Sequence, residues 1–339
     1  MYRILKYKED ERRILFRNTA QKMGIHEAIV EKDYWVCLML DYLFHQCEYE
    51  KAFTFKGGTS LSKCYGLIQR FSEDIDLILD WRLIGYEINE PWEARSNTKQ
   101  DVFNKEANQR AELFLKETLL PILIRDVSTI IGEKANLYIV EEDPQTICFR
   151  YPCLFHADSI LQVIRLEIGA LAAWTPSTEK VITPYAAECY PGVFEKAETI
   201  VLTAAAERTF WEKVTILHHE ANRPEILDMP DRYSRHYYDL YCIAHSENKK
   251  RAFQNLELIK KVVDFKMKFY PRKWAQYENA KLGTMKLVPP IYRIEALRKD
   301  YEYMAEMVFG TYLKFDELMS YMVILEKEIN QLQQNADKR

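Results

Sequence analysis

Apolar and polar positions change rhythm along this chain. Between residues 9 and 46, Ile14, Leu15, Ala28, Ile29, Trp35, Val36, Leu38 and Met39 fall near helical spacing, which predicts helices. A short apolar run predicts a strand at 52–56, followed by a helix at 59–68 and a strand at 74–80. Residues 81–104, with Pro91 and several Asn and Ser, read as an irregular region. A helix is expected over 105–125. Runs rich in Ile, Val, Leu and Tyr predict strands at 135–141, 146–151 and 160–169. Beyond Pro191 helical spacing takes over, at 205–221, 232–246, 252–269 and, in at least two pieces, 293–331. The expected fold class is α+β. N-terminal helices over 1–50 would pack on a core at 51–200 built from a small mixed sheet with helices, and a helical domain would fill 201–339.

Composition narrows the class. With 339 residues, 48% hydrophobic and 29% charged, the chain reads as globular and long enough for two domains. A net charge of -4 means that any nucleic-acid contact must come from a local patch. No apolar run approaches bilayer length, so no membrane association is expected. The opening MYRILKYKEDERR has no apolar core of a secretory signal. Seven scattered cysteines fit free thiols in a reducing cytosol, so the expected location is cytoplasmic.

The chemistry concentrates in FTFKGGTSLSKCYGLIQRFSEDIDLIL, residues 53–79. Glycine after a strand permits positive φ and close approach to the backbone. A helix starting just beyond would aim free N–H groups at a phosphate, although a tight turn needs the same glycines. On the next strand Asp74 and Asp76 share a face, with Ile75, Leu77 and Leu79 on the other. Two adjacent carboxylates suit a hard divalent cation, or else they face water at a sheet edge. In LQVIRLEIGAL, Val163, Arg165 and Glu167 share a strand face. Glu167 either completes an acidic cluster beside the aspartates or pairs with Arg165.

Strand, Gly-Gly, helix and then Asp-x-Asp on the next strand resembles the nucleotidyltransferase fold shared by DNA polymerase beta. EKDYWV at 31–36, FKGGTSLSK at 55–63 and RFSEDIDL at 70–77 resemble the bacterial AbiEii/AbiGii-type nucleotidyltransferase toxins of abortive-infection and toxin–antitoxin pairs. ERTFWEKVTILHH at 207–219 is similar to the family's helical lysine motif, with Lys213 in the lysine position. RYSRHYYDLY at 232–241 is similar to its Arg-x-x-Tyr-Asp motif, with Arg235 and Asp239 in place and His236 where an aspartate is common. Arg235 and Asp239 also stand four apart, so they share a helix face.

The resemblance implies a polymerase-beta-like core and an enzyme that moves a nucleoside monophosphate from an NTP to an acceptor. One or two Mg2+ ions would be held by Asp74, Asp76 and Glu167, with Glu167 alternatively the base for the acceptor hydroxyl. It implies phosphate contacts from Gly57, Gly58, Thr59, Ser60 and Ser72, and nearby charge from Lys56 and Lys63. Lys213, Arg235 and Asp239 would act at the nucleotide. The implied acceptor is RNA, at the tRNA 3′ end, and the implied partner is a cognate antitoxin. A non-catalytic nucleotide- or RNA-binding module of the same fold, and a kinase-type phosphotransferase, are the alternatives. Residues 260–281 carry seven basic and two acidic side chains interleaved with Phe265, Phe269, Tyr270, Trp274 and Tyr277, a pattern that suits RNA. The same pattern suits a helix with its aromatics in the core and its lysines in water. Cys148, Cys153 and His156 fit no common zinc spacing, and His218 and His219 read as helix histidines.

Overall fold

The computed structural model describes every residue except 73, 158–159, 173–174, 311 and 337–339. The chain forms two compact units. The first comprises Met1–Cys64 and Phe71–Ala204, and the second comprises Tyr65–Arg70 and Ala205–Arg339.

The first unit opens with α1 (Glu9–Met23), closed by Gly24 in the left-handed conformation. α2 (Glu27–His45) follows, and every residue from Val30 to Leu43 is buried. A helix apolar on all sides belongs inside a core. Trp35 anchors it there, stacked on Tyr151 and edge-on to Phe149. Then come β1 (Phe53–Lys56), α3 (Gly57–Lys63), β2 (Ile75–Leu79), α4 (Asn97–Phe114), a π-helical turn at Leu115–Leu119 and α5 (Leu120–Ile131). β3 (Asn136–Val140), β4 (Asp143–Arg150), β5 (Ile164–Gly169), β6 (Ser177–Ile182), α6 (Tyr185–Cys189) and β7 (Thr199–Ala204) complete it. The sheet has seven strands in the order β3-β4-β5-β2-β1-β7-β6. It is mixed: β1 runs antiparallel to β2 and parallel to β7, while β2 and β5 are parallel.

The pattern of residues misplaced two things here. The region expected to be irregular at 81–104 already enters α4 at Asn97, capped by the Ser96 hydroxyl. The helix expected to start at 105 thus begins eight residues earlier and, through the π turn and α5, runs on to Ile131. The strands β6 and β7 were not anticipated. β7 inverts the usual code: Thr199 and Thr203 are buried while Ile200 and Leu202 are exposed. Thr203 tolerates burial because its hydroxyl donates to the Phe55 carbonyl at 2.9 Å.

The second unit is helical: α7 (Ala206–Ala221), α8 (Arg235–Ala244), α9 (Glu247–Gln254), α10 (Leu256–Phe269), α11 (Ile291–Met304) and α12 (Phe315–Ala336). α7 is the hub, with α8, α9 and α10 packed around it. Its Trp211 stacks on Phe253 and donates to the Ala252 carbonyl. Tyr65–Arg70 joins this unit by backbone pairing of Arg70 with Val308 and a 2.9 Å bond from Phe309 N–H to the Gln69 carbonyl. No helix among the described residues is long and apolar enough to cross a membrane.

Candidate active site

In the first unit the Gly-Gly turn ends β1 and opens α3. Gly57 has φ +81° and an added Cβ would sit 2.6 Å from the Asp76 carboxyl carbon and 2.9 Å from its Cβ. Only glycine lets the acid strand close down on this turn. α3 starts without a side-chain cap from Lys56. Thr59 ties the turn to the acid strand: its hydroxyl donates to the Asp74 carbonyl at 2.6 Å and meets Ser72 Oγ at 3.1 Å.

Asp74 lies just ahead of β2, and Asp76 lies within it. Asp76 is in register with Glu167 on the parallel neighbour β5. Facing positions on paired strands bring side chains on one face together. The Glu167 carboxyl is accordingly raised above its usual range, first by burial and then by the Asp76 charge, with Arg165 opposing. Arg165 sits among the acids. It bonds Asp143 at 2.6 Å and Glu167 at 3.3 Å, and lies 4.0 Å from Asp74. Glu167 thus stands in register with Asp76 and also pairs with Arg165.

The residues fit a divalent ion in one sense and not in another. Among the described residues no three His, Cys, Asp or Glu side chains stand close enough to hold a metal together. The expected three-acid set of Asp74, Asp76 and Glu167 is thus not preassembled, because Glu167 and Asp74 lean on Arg165. What is present is a group of hard carboxylate oxygens around Asp76, the donor type of a magnesium ion that arrives with phosphates and keeps few protein ligands.

Two expected phosphate contacts fall elsewhere. Lys63 is buried and paired with Asp33 at 2.7 Å, donates to the Thr183 carbonyl and lies over the Tyr185 ring. Burial works against its charge, but Asp33 more than offsets this and holds the Lys63 pKa above its usual value. The Ser60 hydroxyl turns back to the Gly57 carbonyl at 2.9 Å. Lys56, Gly57 and Gly58 keep partial exposure.

EKDYWV proves to be scaffolding. Glu31 accepts the N–H groups of Leu154 and Phe155, Lys32 donates to the Leu161 carbonyl, and Asp33 holds Lys63 and the Tyr185 N–H. All three charged side chains are buried on α2, and each pins a different segment. The sequence carried a signal for this in three consecutive charges within an apolar helix.

In the second unit Lys213 on α7 and Asp239 on α8 meet at 2.8 Å. Arg70 grips the same carboxylate through two bonds of 2.7 and 2.8 Å. Burial favours a neutral Asp239, but Arg70 and Lys213 outweigh it and hold the carboxyl far below its usual range. Lys213 is lowered by burial, against Asp239 and with the help of Arg70. It also reaches Nδ1 of His236 at 3.0 Å. Burial and Lys213 push the His236 pKa down, so the ring is neutral and accepts from the ammonium. Arg235 stands on the same helix as Asp239, but the partners of that carboxylate are Arg70 and Lys213. Arg70 was visible only as the first letter of RFSEDIDL.

The loop entering α8 is held by α11. Asp300 accepts the N–H groups of Arg232 and Ser234 at 2.6 and 2.7 Å, and Arg232 has a φ of 57°. Arg293 binds the carbonyls of Pro224 and Leu227. The basic segment 260–281 divides its aromatics: Phe265, Phe269 and Tyr277 are buried, Trp274 packs on His219, and Tyr270 is 45% exposed. A stacking platform is therefore not built there, although charge remains. His218 is buried and bonded to the Gln276 carbonyl and Lys286 N–H, while His219 is half-buried.

A glycine turn and carboxylates on neighbouring strands of a mixed sheet thus stand side by side in the first unit. The chain belongs to the AbiEii family, described as "Nucleotidyl transferase AbiEii toxin, Type IV TA system", whose model matches residues 41–321. It is a nucleotidyltransferase toxin of a type IV toxin–antitoxin system, from a family that generally uses an NTP and a divalent metal. Among solved structures it is similar to MenT4, a nucleotidyltransferase toxin from Mycobacterium tuberculosis H37Rv, at 18% identity and a TM-score of 0.44, covering 94% of this chain and 97% of that one. No curated protein matches it significantly.

Proposed function

We propose that this enzyme moves a nucleoside monophosphate from an NTP to the 3′ hydroxyl of RNA, at the tRNA acceptor end, and that growth arrest in an abortive-infection setting follows. The observation that carries the reading is the register of Asp76 with Glu167 directly over the Gly57 turn.

Asp74 and Asp76 would hold magnesium. When bound, the ion supplies charge neutralisation at the phosphates. Gly57, Gly58 and the first turn of α3 receive the triphosphate through backbone N–H groups, with Thr59 and Ser72 fixing the turn and Lys56 adding charge. Glu167 is the base for the acceptor hydroxyl. A carboxyl held above its usual range by burial and by Asp76 takes a proton more readily than an exposed one. Positioning and electrostatics do most of the work in phosphoryl chemistry, so few further groups are needed. Lys213, Arg235 and Asp239 keep the part in handling the nucleotide that their motifs imply, and a cognate antitoxin controls the enzyme.

The experiment is incubation with Mg2+, each α-labelled NTP in turn and total bacterial tRNA, alongside Asp74→Ala and Asp76→Ala. Label in RNA and released pyrophosphate, both lost in the variants, support the reading. Release of nucleoside diphosphate, or bound nucleotide without turnover, would sink it.

A further inference from the structure

The acid cluster of the first unit holds one guanidinium where an incoming cation would go. Arg165 projects from the same face of β5 as Glu167. Its fork is shared by Asp143 at 2.6 Å and Glu167 at 3.3 Å, with Asp74 4.0 Å away. The side chains of Arg165 and of these three acids are each between 32 and 42% exposed, so the arrangement is open to water and to exchange. Arg165 thus stands among three acids, and among the described residues no three His, Cys, Asp or Glu side chains form a ready cage. Asp143, at the start of β4, gives the arginine an anchor outside the Asp74–Asp76 pair.

We propose that Arg165 is the resident counter-cation of this cluster, and that a divalent ion binds by displacing it from Asp74 and Glu167 while Asp143 retains it. The inference rests on the reading that Asp74 and Asp76 hold the metal. It adds that the affinity for metal is set by a competition built into the chain. Without metal, Arg165 keeps the repelling carboxylates tolerable. With metal, its charge opposes the ion. Its removal should therefore do two opposite things: loosen the metal-free protein and tighten metal binding.

The test is direct Mn2+ binding, read by the paramagnetic signal of the free ion, on the full chain without nucleotide. Arg165→Gln should bind Mn2+ about tenfold more tightly than wild type, since a unit charge within a few ångströms of the ligands is removed. Its melting temperature should be lower without metal and rise further on adding Mn2+. In the wild-type chain the Nε–H resonance of Arg165 should shift and exchange faster as Mg2+ is added, which tests the displacement even if the variant does not fold. Asp76→Asn is the control for the underlying reading. If Asp76→Asn binds Mn2+ as well as wild type, the metal reading fails and takes the inference with it. If Asp76→Asn loses the ion while Arg165→Gln binds it no more tightly than wild type, the inference alone is overturned. An Arg165 resonance indifferent to Mg2+ overturns it as well.

Discussion

Gly57 and Asp76 occupy space that only one of them can fill with a side chain. The carboxyl carbon of Asp76 stands 2.6 Å from where a Gly57 Cβ would be, at a φ of +81° that other residues rarely adopt. Gly57→Ala should therefore move Asp76, destabilise the first unit by about 2–4 kcal/mol and cut nucleotide transfer by about a hundredfold or more. Gly66 has φ +59° but open space around its Cα, so Gly66→Ala should cost about 1 kcal/mol and no more. Melting curves and transfer rates on the two variants separate strain from displacement; equal effects would contradict the close approach.

Asp239 is fully buried between two cations. Removing it strands Arg70 and Lys213, so Asp239→Ala should destabilise the second unit by about 3–5 kcal/mol. Restoring charge balance by adding Arg70→Met should recover part of that loss. A double-mutant cycle by denaturant unfolding reads the coupling, and simple additivity would show that the pair does not act as a unit.

Lys63 is expected to behave as a structural residue. Lys63→Met leaves the buried Asp33 carboxyl without its cation, which should cost about 3–5 kcal/mol. The double variant with Asp33→Leu should be more stable than either single one. A Lys63→Met protein with wild-type stability and impaired nucleotide binding would return the lysine to the phosphates.

His219 ties stability to pH. Burial, Arg223 and Arg272 push its pKa down to about 4, against an ordinary value near 6.5. In that window the unfolded chain takes up a proton that the folded chain refuses. Stability from this group is then complete above about pH 6.5 and falls by up to about 1.4 kcal/mol per pH unit toward pH 4. Nε2 of His219 has no hydrogen-bond partner although buried, and the ring packs on Trp274 at 4.4 Å. His219→Phe should fold at pH 7 and lose stability less steeply on acidification. Urea unfolding at pH 7, 6 and 5 measures the slope, and parallel slopes would count against the buried neutral ring.

Elements with a single consistent rhythm could be read from the sequence. α2, α7 and the strands around Asp76 and Glu167 announce themselves because their apolar faces point inward. β7 could not be read, because its buried face carries Thr199 and Thr203, and the Thr203 hydroxyl finds its partner only across the sheet. At the site, spacing left open whether Glu167 joins the aspartates or pairs with Arg165, and the resemblance implied the set of Asp74, Asp76 and Glu167. They did not show the carboxylate partner that commits Lys63, since Asp33 lies thirty residues away and only folding joins them. Arg70 escaped notice for the same reason: its carboxylate lies 169 positions further along the chain.

The path of the chain between Cys64 and Phe71 bears on how this toxin can be dissected. Six residues leave one unit, contribute Arg70 to the other and return. A fragment starting at Ala205 would carry Asp239 and Lys213 without the arginine that completes their charge balance. No single cut of the gene separates two self-sufficient halves. Complementation by co-expressed pieces should work only when the N-terminal piece extends past Arg70.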